Sequence, residues 1–185
     1  MPRFVALLRG VNVGKTGRRV PMGDLRELLA ALGYRDVRTL MNSGNAVFSG
    51  AASPVQAHAA RIGEVIAESL KVEVAVIVKS ARDIAAIESE NSLATVATDP
   101  RRLLVAFTAR GQDLRGLAAL GSWVTPPEQF VLGRHAAYLW CPRGFLECHA
   151  ARALLGPAGR AATSRNWATV QKIAACLRGG AGKPE

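Results

Sequence analysis

The chain has 185 residues, of which 49% are hydrophobic and 21% charged, a balance that excludes intrinsic disorder for most of its length. No apolar run approaches the roughly 20 residues that a membrane-spanning helix needs, and three cysteines are too few for a disulfide framework. These features favour a cytoplasmic protein without membrane contact. The formal charge of +10 indicates affinity for anions, although the same charge suits a solvated basic surface.

The first 80 residues predict one complete unit of the order β-α-β-β-α-β. Leucines at helical spacing predict a first helix that begins near Pro21 and ends at Gly33. Ser53-Pro54 opens a second helix, in which His58 is expected at the surface. Short apolar runs predict four strands, at residues 4–8, 37–41, 46–49 and 72–78. This order is the one found in ferredoxin-like folds.

The second half repeats most of this order, with a helix where the last strand is due. Strands are expected at 103–108, 130–132 and 137–140, and helices at 82–90, 114–120, 145–155 and 166–177. The chain is therefore predicted to be an α+β protein of two fused ferredoxin-like subdomains, the second degenerate and ending in a C-terminal helix. Their predicted bounds are 1–80 and 81–178, packed together, and residues 179–185 are expected to form a flexible tail.

The loop after the first strand resembles a phosphate-binding P-loop without matching it. That motif reads G-x-x-x-x-G-K-[ST], whereas Gly10 and Gly14 enclose only three residues before Lys15. The next helix is also predicted to start several residues too late for its N-terminus to hold phosphates, and the inferred sheet is antiparallel. We interpret the motif as a false positive and do not predict nucleotide hydrolysis.

The predicted topology brings this loop close to a second polar segment, the turn at residues 42–45. In the ferredoxin-like order the third strand lies beside the first, so the loop at 9–19 and this turn share one end of the sheet. Together they supply cations, amides and backbone donors, a set suited to an anion. The asparagines also fit a purely structural role in turns. The candidate binding residues are Arg9, Asn12, Lys15, Arg18, Asn42, Ser43 and Asn45.

A third polar segment precedes the last predicted helix. Thr163 or Ser164 is a natural N-cap, and a helix N-terminus beside Arg165 favours an anion. The ring of Trp167 has the chemistry to stack on a nucleic-acid base, and burial in the core is the alternative. Arg165, Asn166 and Trp167 are therefore further candidate ligand-binding residues.

The cysteines and histidines of the second half do not form a metal-site pattern. Cys141, Cys148, His135 and His149 lack the paired C-x-x-C or H-x₃-H spacings that are typical of zinc sites. Adjacent Cys148 and His149 also point to different sides of a helix, which argues against a nucleophile–base pair. The sequence predicts no metal site and leaves any cofactor unknown.

Three segments together carry a family resemblance. They are residues 6–14 with 20–26, residues 42–48 and residues 163–170, which read ALLRGVNVG with VPMGDLR, NSGNAVF and TSRNWATV. On these segments the chain resembles the bacterial family of conserved hypothetical proteins known as domain of unknown function number 1697. The resemblance implies an α+β protein with ferredoxin-like subdomains and no established activity. The family pattern does not require Lys15, and a cysteine at position 148, where members often carry a basic residue, argues against an essential thiol.

The sequence favours a cytoplasmic protein that binds an anionic partner, either nucleic acid or a phosphorylated small molecule, through the loop at 9–19 and the turn at 42–45. Two alternatives stay open. One is an enzyme of unknown specificity that uses an external metal or cofactor. The other is an interaction module that dimerises through a sheet edge.

Overall fold

The computed structural model describes residues 1–14 and 18–179, and the chain divides into two units. The first unit is Met1–Ile84 together with the chain from Lys172, and the second is Ala85–Gln171. The sequence predicted a division after residue 80 and assigned the whole C-terminal helix to the second subdomain. Apart from Gly179, the predicted tail at 179–185 lies outside the described residues.

The first unit contains an antiparallel four-stranded sheet with two helices between its strands. The predicted ferredoxin-like order is confirmed, because the strands are arranged β2-β3-β1-β4. The elements are β1 (Arg3–Leu8), α1 (Met22–Ala31), β2 (Arg35–Leu40), β3 (Asn45–Ser49), α2 (Val55–Leu70) and β4 (Val76–Ser80).

The fourth strand begins later than predicted. The apolar run from residue 72 suggested a strand at 72–78, but pairing with β1 starts where Leu8 lies opposite Val76. Helix α2 ends at Lys71 in the left-handed conformation, with φ of 56°. Residues 72–75 therefore form a connection outside the strand, and Glu73, Val74 and Ala75 of this connection line the candidate site described below.

Alternating side chains of β1 point toward the two helices and form the core of the first unit. Phe4, Ala6 and Leu8 pack with apolar residues of α1 and α2 such as Leu25 and Ile62. The period of two in the strand and of 3.6 in each helix brings these positions onto facing surfaces. Removing such side chains from water is the main source of stability for the unit.

An aromatic cluster closes one end of this core. Its members are Phe4, Tyr34, Phe48 and His58, and the rings of Tyr34 and Phe48 lie 4.4 Å apart. The Tyr34 hydroxyl lies 2.8 Å from Nδ1 of His58, whose Nε2 lies 3.2 Å from the carbonyl of Ala51. His58 is only 4% exposed, so the predicted surface position is wrong. Both ring nitrogens have hydrogen-bond partners, so burial of the imidazole leaves no polar atom of the ring unsatisfied.

The second unit contains a second antiparallel sheet with the same strand order, β6-β7-β5-β8. The elements from Ala81 onward are α3 (Ala81–Glu90), β5 (Leu103–Thr108), α4 (Gly111–Arg115), β6 (Gln129–Leu132), β7 (Ala137–Trp140), α5 (His149–Leu155), β8 (Ala162–Asn166) and α6 (Trp167–Leu177). Short 3₁₀ helices occur at Ser92–Thr95, Pro100–Arg102, Gly116–Trp123 and Pro157–Gly159. None of the helices in the described part of the chain is long and apolar enough to cross a bilayer.

The second sheet has the fourth strand that the sequence prediction omitted. Strand β8 pairs with β5 and places Arg165 opposite Val105. Its residues, Ala-Thr-Ser-Arg-Asn, contain almost no apolar signal, so periodicity could not reveal a strand. The pairing with β5 is a tertiary contact that outweighs the local preference of these polar residues for turns and caps.

A carboxylate from α3 holds the turn between β6 and β7. Glu90 accepts hydrogen bonds from the backbone N–H groups of Arg134 (3.0 Å), His135 (3.0 Å) and Ala136 (3.1 Å). The Tyr138 hydroxyl lies 2.8 Å from the same carboxylate. Partial burial acts to raise the pKa of Glu90, but the donors from His135, Tyr138 and the other two amides outweigh it and lower that pKa. A concave set of backbone amides of this kind is an anion site, and an internal anion fills it.

Glycine is required at the start of this turn. A Cβ on Gly133 would lie 2.7 Å from Cδ of Glu90 and 2.9 Å from the carbonyl oxygen of Ala136. Both distances are far inside van der Waals contact, so any side chain would displace the carboxylate. The sequence gave no sign that Glu90, more than forty positions earlier, would bind at this turn.

Candidate functional site

The loop that follows β1 is anchored on both sides at the end of that strand. The backbone N–H of Leu8 donates to the carbonyl of Gly44 at 2.8 Å, and that of Arg9 donates to the carbonyl of Ala75 at 2.9 Å. The strand end therefore lies between the 42–45 turn and the connection that leads into β4. The prediction that the loop and the turn share one end of the sheet is confirmed.

The side chain of Asn12 holds the loop closed through three hydrogen bonds. Its Oδ1 accepts from the N–H of Val20 at 3.0 Å, and its Nδ2 donates to the carbonyl of Val20 at 2.8 Å and to that of Asn42 at 3.0 Å. Both amide hydrogens are used, so the side chain serves loop closure. The left-handed backbone at Asn12, with φ of 57°, suits asparagine better than most residues.

The two arms of the loop meet again beyond Asn12. The N–H of Asn12 donates to the carbonyl of Arg18 at 2.7 Å, and Val11 forms an isolated parallel bridge with Arg18. Nη2 of Arg19 donates to the carbonyl of Gly14 at 2.9 Å. Lys15, which was predicted to bind the ligand, lies outside the described residues. Helix α1 begins at Met22, as late as predicted, which separates the loop from a P-loop.

An open groove of about 560 Å³ lies beside the described arms of the loop. We call it the loop groove. Helix α2 contributes positions three and four residues apart, which lie on one helix face. The lining residues are Arg9, Arg18, Gly63, Glu64, Ala67, Glu73, Val74 and Ala75.

The loop groove carries charges of both signs. The β1 loop supplies the guanidinium groups of Arg9 and Arg18, while α2 and the 72–75 connection supply the carboxylates of Glu64 and Glu73. The side chains of Arg18, Glu64 and Glu73 are all exposed to solvent, and no ion pair joins Arg18 to either carboxylate among the described residues. Such a lining can accept an anionic group at one wall and a hydrogen-bond donor at the other.

The 42–45 turn contributes support to the site more than contact surface. Asn45 is fully buried, and its Nδ2 donates to the carbonyl of Leu40 at 2.9 Å and to Oγ of Ser43 at 3.0 Å. Asn42 is exposed and accepts through its backbone carbonyl from Asn12. Of the seven residues predicted for this site, the loop groove is lined by Arg9 and Arg18.

The second predicted segment has a different geometry from the one expected. Arg165 is a buried residue of β8, 8% exposed, and lies two positions before α6 begins at Trp167. Its Nη1 donates to Oγ1 of Thr163 at 2.9 Å and to the carbonyl of Ser164 at 2.7 Å. Burial lowers the pKa of Arg165 to about 10. This value is still well above neutral pH, so the guanidinium stays charged.

The cap of the last helix is also not the one predicted. Thr163 and Ser164 lie within β8, and Oδ1 of Asn166 accepts from the N–H of Thr169 at 2.9 Å. Trp167 is 7% exposed and therefore buried, which is the alternative that the sequence offered to stacking on a base. A ligand role for Arg165, Asn166 and Trp167 stays a prediction, at a helix N-terminus that begins with Trp167 and is capped by Asn166.

Comparison with known proteins places the chain in a family. The family model described as a protein of unknown function, DUF1697, matches residues 1–138. The chain belongs to this family. The resemblance noted in the sequence is therefore confirmed.

A solved structure supports the same fold assignment for this DUF1697 chain. The chain is similar to the conserved bacterial protein SP0830 from Streptococcus pneumoniae, with 28% identity and a TM-score of 0.77. The similarity covers 95% of this chain and 98% of that chain. No curated protein matches the chain.

Sequence reasoning missed the half of the loop groove that faces the arginines. Glu64 lies in the middle of α2, and Glu73 lies in a segment that was predicted as a strand. The sequence does show that Gly63 and Ala67 are small residues four positions apart, which places them on one face of α2. It does not specify what lies opposite, because that depends on how α2 packs against β1.

Proposed function

We propose that this protein binds a small phosphorylated metabolite in the loop groove, with the guanidinium groups of Arg9 and Arg18 holding the phosphate. The observation that carries the proposal is the convergence of these two side chains, nine positions apart in the chain, on one groove. Guanidinium groups bind phosphate oxygens through charge-assisted, often bidentate hydrogen bonds. The hydrogen bonds of the Asn12 side chain support the proposal because they fix the loop that carries both arginines.

The size of the groove supports a small molecule as the ligand. Sites for small molecules usually have volumes of roughly 300–1,000 Å³, and the loop groove has about 560 Å³. Glu64 and Glu73 on the opposite wall would repel the next phosphates of a nucleic-acid strand. The same carboxylates would accept hydrogen bonds from hydroxyl or amino groups of a sugar or a base. We therefore favour a phosphorylated small molecule over nucleic acid.

The proposal is for binding in the cytoplasm. The three cysteines are all buried and free, which is the usual state of thiols in a reducing compartment. The groove lining offers two cations, Arg9 and Arg18, to hold a phosphate. These cations are sufficient for binding, and the proposal assumes no reaction.

The test is calorimetric titration of the full chain with nucleoside 5′-monophosphates, sugar phosphates and inorganic pyrophosphate. Arg9→Ala and Arg18→Ala should each weaken binding by about 1.5–3 kcal/mol, the contribution of a hydrogen bond to a charged group. Arg26→Ala is the matched control, because Arg26 is an exposed arginine of α1 that does not line the groove. It should leave the affinity unchanged.

A parallel titration with a short DNA duplex distinguishes the two anionic partners. Duplex binding with a steep salt dependence, weakened as much by Arg26→Ala as by Arg18→Ala, would indicate a diffuse basic surface. That result, together with no binding of any phosphorylated small molecule, would contradict the proposal.

A further inference from the structure

Strand β6 is an open edge of the second sheet. It pairs with β7 on one side, and Gln129 and Leu132 at its two ends are exposed. In the described part of the chain, no hydrogen bond joins its backbone to any segment other than β7. An open edge presents a row of N–H and C=O groups that another strand can bind.

The register of the hairpin shows which backbone groups face outward. The N–H of Gly133 donates to the carbonyl of Ala136, which closes the hairpin, and opposed residues then alternate between bonded and non-bonded pairs. Val131 and Gln129 are therefore bonded to β7. The N–H and C=O groups of Phe130 and Leu132 point away from β7, toward the open edge.

We propose that a second copy of this chain pairs with this edge, β6 against β6 in antiparallel orientation, about a two-fold axis at Val131. Phe130 then lies opposite Leu132 of the partner subunit, and Leu132 opposite Phe130 of the partner subunit. The two pairs form four backbone hydrogen bonds and join the two sheets. The contact is isologous and closed, as expected for a dimer. This inference is independent of the proposed phosphate ligand.

The sequence of the edge fits a copy of itself. Residues 129–132, Gln-Phe-Val-Leu, carry no charge, so no like charges meet across the axis. In this register Arg134 of each copy lies opposite Glu128 of the other, a residue that is 6% exposed and whose carboxylate accepts a hydrogen bond from the N–H of Thr125, so no like charges meet at the ends of the contact either. An unrelated partner strand would not have this complementarity built in.

Strand β2, the edge of the first sheet that corresponds to β6, shows what a protected edge looks like. Strand β2 has a register shift between Arg35 and Arg38, and Asp36 has a left-handed φ of 52°. Bulges and charges of this kind prevent edge pairing. Strand β6 has an unbroken register with β7 and no charged residue. The protein therefore protects β2 against pairing and leaves β6 open to it.

Exposed apolar side chains extend the edge on the elements that contact β6. The 3₁₀ helices Ser92–Thr95 and Gly116–Trp123 both contact this strand. The first is followed by Val96, 42% exposed, and the second ends at Trp123, 47% exposed, while Leu132 of the edge itself is 37% exposed. Pairing about the two-fold axis would remove part of this apolar surface from water.

Disulfide trapping tests the register. At the axis, Val131 would form a non-bonded pair with Val131 of the partner subunit, with Cα atoms about 4.5 Å apart, inside the range of about 4.4–6.8 Å that a disulfide needs. Val131→Cys should therefore give a covalent dimer when the full chain is treated with a mild oxidant. Leu132→Cys is the matched control, because its own copy would lie about 7 Å further along the strand, and it should stay monomeric on a non-reducing gel.

Sedimentation of the uncrosslinked protein tests the contact itself. The mass should rise from 19.6 kDa toward twice that value as concentration increases. Val131→Lys places like charges at the axis and should weaken dimerisation at least about tenfold, or 1.4 kcal/mol. Leu146→Lys, at an 85% exposed leucine that is not part of β6, should not. A monomer at every concentration, equal crosslinking of both cysteine variants, or a dimer unaffected by Val131→Lys in a folded protein would overturn the proposal.

Discussion

The two units share one strand order but treat the corresponding hairpin turn in opposite ways. In the second unit, the turn after β6 presents three backbone amides, and Glu90 supplies the anion that they bind. In the first unit, the turn after β2 is joined through Asn12 to a loop that carries arginines to an open groove. The turn of the second unit thus binds a carboxylate of the protein itself. The corresponding turn of the first unit lies beside a loop that carries cations.

The charge of the chain follows the same division. The segments that make up the first unit, 1–84 and 172–185, contain fifteen basic and eight acidic residues, and the second unit contains nine and six. Most of the net charge of +10 is therefore on the unit with the loop groove. A basic excess raises the local concentration of anions and the rate at which they arrive. This distribution supports the proposal that the first unit binds the anionic ligand.

Removal of the internal anion should produce the largest change in stability. Glu90→Ala leaves three backbone N–H groups without their acceptor, whereas the Tyr138 hydroxyl keeps the carbonyl of Ile87, so we expect a loss of about 2–3 kcal/mol in the free energy of unfolding. Urea denaturation measures this loss. Glu147→Ala, at an exposed glutamate of the same unit, is the control and should change stability by less than about 0.5 kcal/mol. Equal effects of the two variants would show that the turn does not depend on Glu90.

Loss of the Asn12 side chain, which holds the loop of the first unit, should have a somewhat smaller effect on stability. Asn12→Ala removes three hydrogen bonds and places alanine at a left-handed position, so we expect a loss of about 2 kcal/mol in stability. Asn42→Ala keeps the backbone carbonyl that Asn12 binds and should cost less than about 0.5 kcal/mol. If Asn12→Ala kept full stability, the loop would be held by other contacts.

The helix cap identified in the structure should have a still smaller effect. Asn166→Ala removes the acceptor for the N–H of Thr169 and should cost about 1 kcal/mol. Ser164→Ala, at the position that the sequence suggested as the cap, should be nearly neutral. Thermal denaturation of both variants checks the assignment, and a larger effect at Ser164 would restore the sequence-based cap.

The dependence on pH should be the smallest effect. Because the pKa of Glu90 is lowered in the folded protein, its stabilisation is complete above the pKa of an unfolded glutamate, about 4.3, and is lost as pH falls through the folded-state pKa. The stability difference between the wild type and Glu90→Gln should therefore shrink from pH 7 toward pH 3. A difference that grows on acidification would contradict the assignment.

The sequence predicted the elements that have a local signal. Apolar alternation and helical spacing identified the first sheet and the shared end of loop and turn, because those patterns reflect burial of one face. It missed β8, whose polar residues become a strand only through pairing with β5. It also missed Glu90 and Glu73, because their partners are set by packing between segments that are distant in sequence.

The most direct test of the central claim is an NMR titration of the full chain with inorganic pyrophosphate. Backbone amide shifts should change at residues 9–14 and 18–20 and on the α2 face that contains Gly63 and Glu64, and Arg18→Ala should weaken these changes. Amides 134–136 should not move, because Glu90 already occupies them. Changes confined to the second unit, or spread evenly over the basic surface, would contradict the claim that the first unit holds the anion site.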